Sequence, residues 1–371
     1  MANKPIKIKR NTSLSGKKYS RKRTAKKVFS IVFAFGALLA LGFFGAPAVV
    51  EMIGSIKDRP APVISQPPAQ PTPTPGEEIE PTANPGDVQN DIVQTTKVVS
   101  KVEVYSLTSE AAIKQQAAEL KAKGVDYAVI TLKNADGFIH YDTKTAIGSQ
   151  AKHNQLIDVK MVVDIFAQQD ITVVANLYAF QDKNAPVIDR TTAVKYQGTD
   201  MNWLDTSKEL GGKPWANPAS SVMQQYIDEL VQEIKTQFGI RDFIFSAVQL
   251  PTGYSLDKRD FGVSESALQA QLQGFIDTME NKVAAFGGDA FFEFDIAAVN
   301  GGDVSKYIVA PQRLGAANLV LTGTQADYDA ADLAAISAKL KNDYMVEMVI
   351  FRNTEGSVTD NVPDGDDYFV Q

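Results

Sequence analysis

Cysteine is absent from the 371 residues, which excludes disulfides, thiolate metal sites and a cysteine nucleophile. Histidine is nearly absent. His140 and His153 are the only two, and neither sits in a ligand-spaced cluster or beside a nucleophile elbow. No glycine-rich phosphate loop follows any candidate strand, which counts against a nucleotide-binding fold. No metal and no cofactor is therefore expected. The run Asp364-Gly365-Asp366-Asp367 looks like part of a calcium loop, but it lacks the downstream ligands and reads as a solvated acidic tail.

Acids are missing from the first 27 residues, which carry eleven Lys or Arg. That leaves 26 basic residues against all 44 acids in the rest, about 18 charges negative, a split hidden by the net charge of −7. Residues 28–50 carry no charge and are rich in Phe, Leu, Val and Ala. As a helix this run spans about 34 Å, enough for a hydrocarbon core of about 30 Å. Basic residues on its N-terminal side place the tail in the cytoplasm and the remainder outside. A cleaved signal peptide is the plainer alternative, with Ala46-Pro47-Ala48 as a loose cleavage site. Beside a membrane helix the basic tail meets anionic lipid rather than nucleic acid.

Residues 51–96 form the next segment, with nine prolines between Pro60 and Pro85. This composition favours extended polyproline II and reads as a stalk. Residues 97–371 are the ordered domain. Apolar runs at 98–107, 127–133, 172–180, 242–250, 291–298, 318–322 and 344–351 read as strands. Stretches at 110–123, 157–168, 220–238, 264–286 and 328–340 read as helices, with Met223, Ile227, Leu230, Ile234 and Phe238 at helical spacing. Alternating β and α units predict an α/β fold, a (β/α) TIM-type barrel, possibly incomplete. The eighth strand is either 368–371 or missing, and an open doubly wound sheet is the competing architecture.

In such a barrel the functional groups gather at the C-terminal strand ends. Those positions are Tyr105; Lys133, Asn134 and Asp136; Asn176, Tyr178 and Asp182; Ser246 and Gln249; Glu293 and Asp295; Thr322 and Thr324; Glu347 and Arg352. Amides, hydroxyls and aromatics suit sugar recognition. Trp203 and Trp215 lie in the long segment 181–216 and either wall a subsite or pack that segment onto the barrel. Candidate ligand-binding residues are Lys133, Asn134, Asn176, Tyr178, Trp203, Trp215, Ser246 and Gln249. Glycoside hydrolysis needs two carboxyl groups across the scissile bond, for which Asp295 with Glu293 or Glu347 are the candidates. A structural acid held by Lys or Arg is the bland alternative.

The stretch 124–137, Gly-Val-Asp-Tyr-Ala-Val-Ile-Thr-Leu-Lys-Asn-Ala-Asp-Gly, followed by His140-Tyr141, resembles the second strand and turn of a bacterial family of glycoside-hydrolase-type TIM-barrel domains of unknown function. Residues 157–182 and Trp215-Ala216-Asn217-Pro218 continue the likeness, as does 243–251, where the family has its fourth strand. It covers roughly residues 100–260. The resemblance implies a hydrolase barrel, yet the polar positions depart from it. Thr131 and Asn134 stand where the family carries acids, Asn176 and Gln249 where it carries arginines, and Ser246 where it carries its presumed catalytic Asp. Serine supplies neither an anionic nucleophile for an oxocarbenium-like centre nor a useful acid. Three functions follow as expectations: a catalytically silent surface barrel binding glycan or peptidoglycan, a divergent hydrolase built on Asp295, or a non-enzymatic envelope scaffold.

Overall fold

The computed structural model describes residues 96–358 and 362–370. The expected cytoplasmic tail, membrane helix and stalk lie outside the described residues. Among the described residues no helix is long and apolar enough to cross a membrane.

Eight strands close a parallel barrel in simple sequential order. They are β1 (Val98–Val102), β2 (Tyr127–Lys133), β3 (Thr172–Tyr178), β4 (Phe243–Ser246), β5 (Ala290–Asp295), β6 (Asn318–Gly323), β7 (Met348–Asn353) and β8 (Asp367–Val370). The fold is thus a TIM-type α/β barrel. The question of the eighth strand is resolved by β8, which pairs with β7 on one side and β1 on the other.

Each strand turns alternate residues inward. One apolar residue from every strand forms the floor of the interior: Val99, Val129, Val174, Ile244, Phe291, Val320, Ile350 and Phe369. Two residues further along β1 to β7 the inward positions become polar, and these positions form the mouth. The outward residues pack under helices α1 (Glu110–Ala122), α2 (Val159–Ala167), α3 (Ser221–Phe238), α4 (Glu265–Ala284) and α5 (Leu333–Tyr344). Side chains of Ser109, Asp158, Ser220, Ser264 and Asp332 cap their N-termini by accepting backbone N–H bonds. The expected helix at 328–340 is displaced, because Thr324 and Asp327 form a capping box that starts a separate short helix, Gln325–Asp329.

Glu347 requires a correction. The strand expected at 344–351 begins only at Met348, because Met345 terminates α5 in a left-handed conformation. Glu347 therefore lies at the start of β7, at the floor end and not the mouth, and its N–H bonds the Ala317 carbonyl.

At the floor, a cavity of about 130 Å³ is lined by apolar side chains together with Lys97, Asp242, Asp289 and Asp367. Its position opposite the polar strand ends makes it part of the barrel's closure. Asp367 Oδ1 accepts the Lys97 N–H at 2.7 Å and so ties β8 to β1. Burial pushes its carboxyl up to about 6, and the charges of Asp366 and Asp126 add to the rise. A carboxyl raised in the folded state costs stability increasingly as pH climbs from the unfolded value of about 3.9 through the folded one. Asp367→Asn keeps the acceptor and removes that cost. Two pKa units correspond to about 3 kcal/mol, an upper bound for a partly exposed group. We expect a gain of about 1–2 kcal/mol at pH 7.5 and none at pH 3.5, read from urea unfolding at both.

Candidate functional site

Five inward side chains form one hydrogen-bonded relay across the mouth. Thr131 on β2 donates its hydroxyl to Asn176 Oδ1 at 3.0 Å. Asn176 Nδ2 on β3 donates to Ser246 Oγ at 2.7 Å and to the Ile244 carbonyl at 3.1 Å. Ser246 on β4 donates its single hydroxyl hydrogen bond to Glu293 Oε2 at 2.7 Å. Arg352 Nη1 on β7 completes the relay at 3.1 Å from the same oxygen. Ser246 and Asn176 are buried, and each satisfies its neighbour, as buried polar groups must. Arg352 also lies over the Phe369 ring, 5.3 Å from its centroid.

Asp295, two residues after Glu293 on the same face, has its Oδ2 at 2.7 Å from Lys306 Nζ. Its N–H donates to the Tyr307 hydroxyl oxygen at 3.2 Å. Burial, with the Asp295 charge, holds the Tyr307 phenol far above its ordinary range. The Tyr178 phenol is likewise raised, first by burial and then by Glu293. Thr322 aligns with both Asp295 and Arg352, and its hydroxyl is buried with no hydrogen-bond partner. On β1, Lys101 and Glu103 pair at 2.7 Å. The structure thus brings together Asn176, Tyr178, Ser246, Glu293 and Asp295 from the sequence-derived set. It adds Lys306 and Tyr307, which no spacing in the sequence points to. It also adds Lys101 and Glu103, which share the inward phase of Val99.

Lys133 is corrected. Thr131 pairs with Asn176 but Lys133 with Leu177, so β2 inserts one extra residue. Such a bulge reverses which face the following side chain takes. Lys133 therefore points away from the mouth and is 0% exposed. Its ammonium lies 2.9 Å from Asp182 Oδ2 and donates to the Tyr178 carbonyl at 2.5 Å, over the ring of Tyr226 on α3. Burial pulls its pKa below the usual lysine value, and Asp182 opposes the fall. Asp182 Oδ1 accepts the N–H groups of Asn184 and Ala185.

Gly137 closes the turn that shelters this pair. Its φ is +82°, and a Cβ there would stand 1.9 Å from Asp182 Oδ1. Gly137→Ala therefore meets both backbone strain and a displaced buried acid. We expect a loss of about 2–3 kcal/mol, visible as a lower urea midpoint with an unchanged slope.

Trp203 is also corrected, because it has no exposed surface to offer a ligand. It packs with Val194 and Trp215 and donates its indole N–H to the Ser255 carbonyl at 3.1 Å. Trp215, nearly buried, borders a second pocket of about 220 Å³ shared with Asp136, Gln181, Lys183, Asp205 and Lys213. Asn134 shapes the β2 turn, accepting the N–H groups of Asp136 and Phe138. Gln249 lies three residues past the end of β4, whose strand geometry ends before Ala247 at φ +55°.

Residues 101–301 match the family described as "putative glycosyl hydrolase domain". Among solved structures, the glycoside hydrolase domain of PgaB (BpsB) from Bordetella bronchiseptica is similar with a TM-score of 0.51 at 11% identity, covering 70% of this chain and 84% of that one. A hypothetical protein from Ruminiclostridium thermocellum gives 0.44 at 17% identity, over 52% of this chain and 96% of that one. A cycloisomaltooligosaccharide glucanotransferase from Paenibacillus sp. gives 0.49 at 13%, over 72% of this chain and 39% of that one. At these identities the likeness is one of fold. No curated protein sequence matches.

Proposed function

We infer, for a chain that belongs to this glycosyl hydrolase domain family, that the barrel mouth binds a glycan without cleaving it, on a domain carried outside the cell by a membrane anchor and stalk. The carrying observation is Ser246. At the β4 strand end, where the family resemblance implies the catalytic Asp, a serine takes a hydrogen bond from Asn176 and gives one to Glu293. That serine has no carboxylate to attack or to stabilise a developing oxocarbenium ion.

The remaining acids support the same reading. Glu293 is held by Arg352 and Asp295 by Lys306. Each carboxylate is thus already engaged by a cation of the same chain and would have to give up that contact to serve a leaving group. The anchor rests on the uncharged run 28–50 and its basic flank. Envelope polysaccharide or peptidoglycan would then be the material in reach.

A divergent hydrolase is the second reading, favoured by one observation. Glu293 and Asp295 share a face of β5, with Cα atoms about 6.6 Å apart at the strand rise. One experiment separates the two. The full-length protein, purified in a polyoxyethylene detergent, is titrated with a glycan panel while products are followed by chromatography. Saturable binding with no product over a day is expected. Product formation that disappears in Asp295→Asn would establish the hydrolase instead. Absence of binding to any glycan would leave the scaffold function.

A further inference from the structure

Among the described residues, every charged side chain that the strand ends turn into the mouth meets an opposite charge from the same chain. Lys101 pairs with Glu103 at 2.7 Å, Arg352 with Glu293 at 3.1 Å, and Lys306 with Asp295 at 2.7 Å. Three cations thus cancel three carboxylates around one ring of strands. The inward positions between them carry Thr131, Asn176, Tyr178, Ser246 and Thr322, all neutral donors or acceptors.

This arrangement has a consequence for the ligand's charge. A cationic or anionic sugar gains little long-range attraction from a mouth whose charges cancel pairwise, and it must break an internal pair to gain a direct one. An uncharged sugar needs neither. Its hydroxyls find the neutral residues of the ring that stay partly exposed, Thr131 and Tyr178. Its ring faces find Tyr105 at the end of β1. That ring is 54% exposed and is braced edge-on by His140 and His153, each with its centroid 5.9 Å away. Aromatic faces of this kind stack on the apolar faces of pyranose rings.

We propose that the ligand is an uncharged oligosaccharide, and that the three internal ion pairs exclude acidic and amino sugars from the mouth. The proposal rests on the glycan-binding reading above and narrows it. The loop pocket beside Trp215 is balanced in the same way, since Asp136 lies between Lys183 at 3.0 Å and Lys213 at 2.8 Å and Asp205 lines the same pocket.

The test uses the full-length protein in polyoxyethylene detergent and calorimetric titration with hexasaccharides. Neutral probes are cello-, malto- and isomaltohexaose and hexa-N-acetylchitohexaose; charged probes are fully deacetylated chitosan hexamer and hexagalacturonate. We expect at least one neutral hexaose to bind about tenfold more tightly than both charged ones. Its Kd should change less than about twofold between 50 and 500 mM NaCl, as screening predicts for contacts without net charge. A charged hexamer that outbinds every neutral one overturns the inference while leaving glycan binding in place. Binding of none overturns the underlying reading. Lys306→Ala supplies the converse: freeing Asp295 should strengthen chitosan-hexamer binding about tenfold, with steep salt dependence. An unchanged ranking in that variant would show that the pairing does not set selectivity.

Discussion

Replacing Lys133 by Met is expected to cost about 3–5 kcal/mol of stability while leaving the proposed glycan binding of the surviving folded fraction unchanged. The first half follows from burial. Lys133 and Asp182 are 0% and 1% exposed and lie 2.9 Å apart. Removing the cation leaves a carboxylate behind the barrel wall with only two backbone N–H groups for company. Neutralising that remainder should restore part of the loss, so Lys133→Met with Asp182→Asn should recover about half of it. The asparagine retains the Oδ1 that accepts from Asn184 and Ala185. Urea unfolding of the two single variants and the double variant gives the coupling directly. A single Lys133→Met variant within about 0.5 kcal/mol of wild type would show that the pair is not structural. The second half follows from direction: the bulge in β2 turns this ammonium toward α3. Altered glycan affinity in the folded variant would mean that the side chain reaches the mouth after all.

Lys133 also shows what the sequence could and could not carry. Seven of the eight strands were legible as apolar runs, because a parallel barrel strand buried on both faces leaves a near-continuous hydrophobic signature. β8 was scarcely legible, since only Asp367–Val370 pairs and its apolar content is a few residues. Inward polar positions could be counted from strand phase wherever the strand is regular, which is why Asn176, Ser246, Glu293 and Asp295 do converge. A bulge shifts phase without leaving a compositional trace, so strand phase alone places Lys133 on the wrong face. The same limit applies to Glu347, where the end of α5 and the start of β7 were merged into one apolar run. Lys306 and Tyr307 enter the site from a connection with no regular period, and periodicity says nothing about such segments. The sequence around Trp203 fits a subsite wall and a packing residue equally well, and packing decides between them, as Val194 and Trp215 enclose it.

The second large effect concerns the replacement of the Ser246 hydroxyl by a carboxylate. Ser246→Asp should destabilise the domain by about 2–4 kcal/mol at pH 8 and by far less at pH 5. The serine oxygen lies 2.7 Å from Glu293 Oε2, so a carboxylate there would share the space of another. Two acids at such range cannot both ionise, and one is forced to keep its proton well above the ordinary carboxylate range. The sign follows: a folded-state pKa raised above the unfolded one costs stability as pH rises, starting near pH 4 and complete once the pair has lost its last proton. Arg352 already serves Glu293 and would be divided between two anions. Asn176, which donates to position 246 at 2.7 Å, stands where the family resemblance implies an arginine. Adding Asn176→Arg should therefore supply the missing cation and return more than half of the stability lost at pH 8. The two neutral residues would then be one coupled exchange, in which each charge was lost with its partner and the hydrogen-bond relay was kept. Equal destabilisation of Ser246→Asp at pH 5 and pH 8 would assign the cost to side-chain volume instead. Strict additivity of the two substitutions would show that positions 176 and 246 changed independently. If the paired variant also releases product from a glycan that the wild type proves to bind without cleaving, then Ser246 is the residue at which hydrolysis was lost.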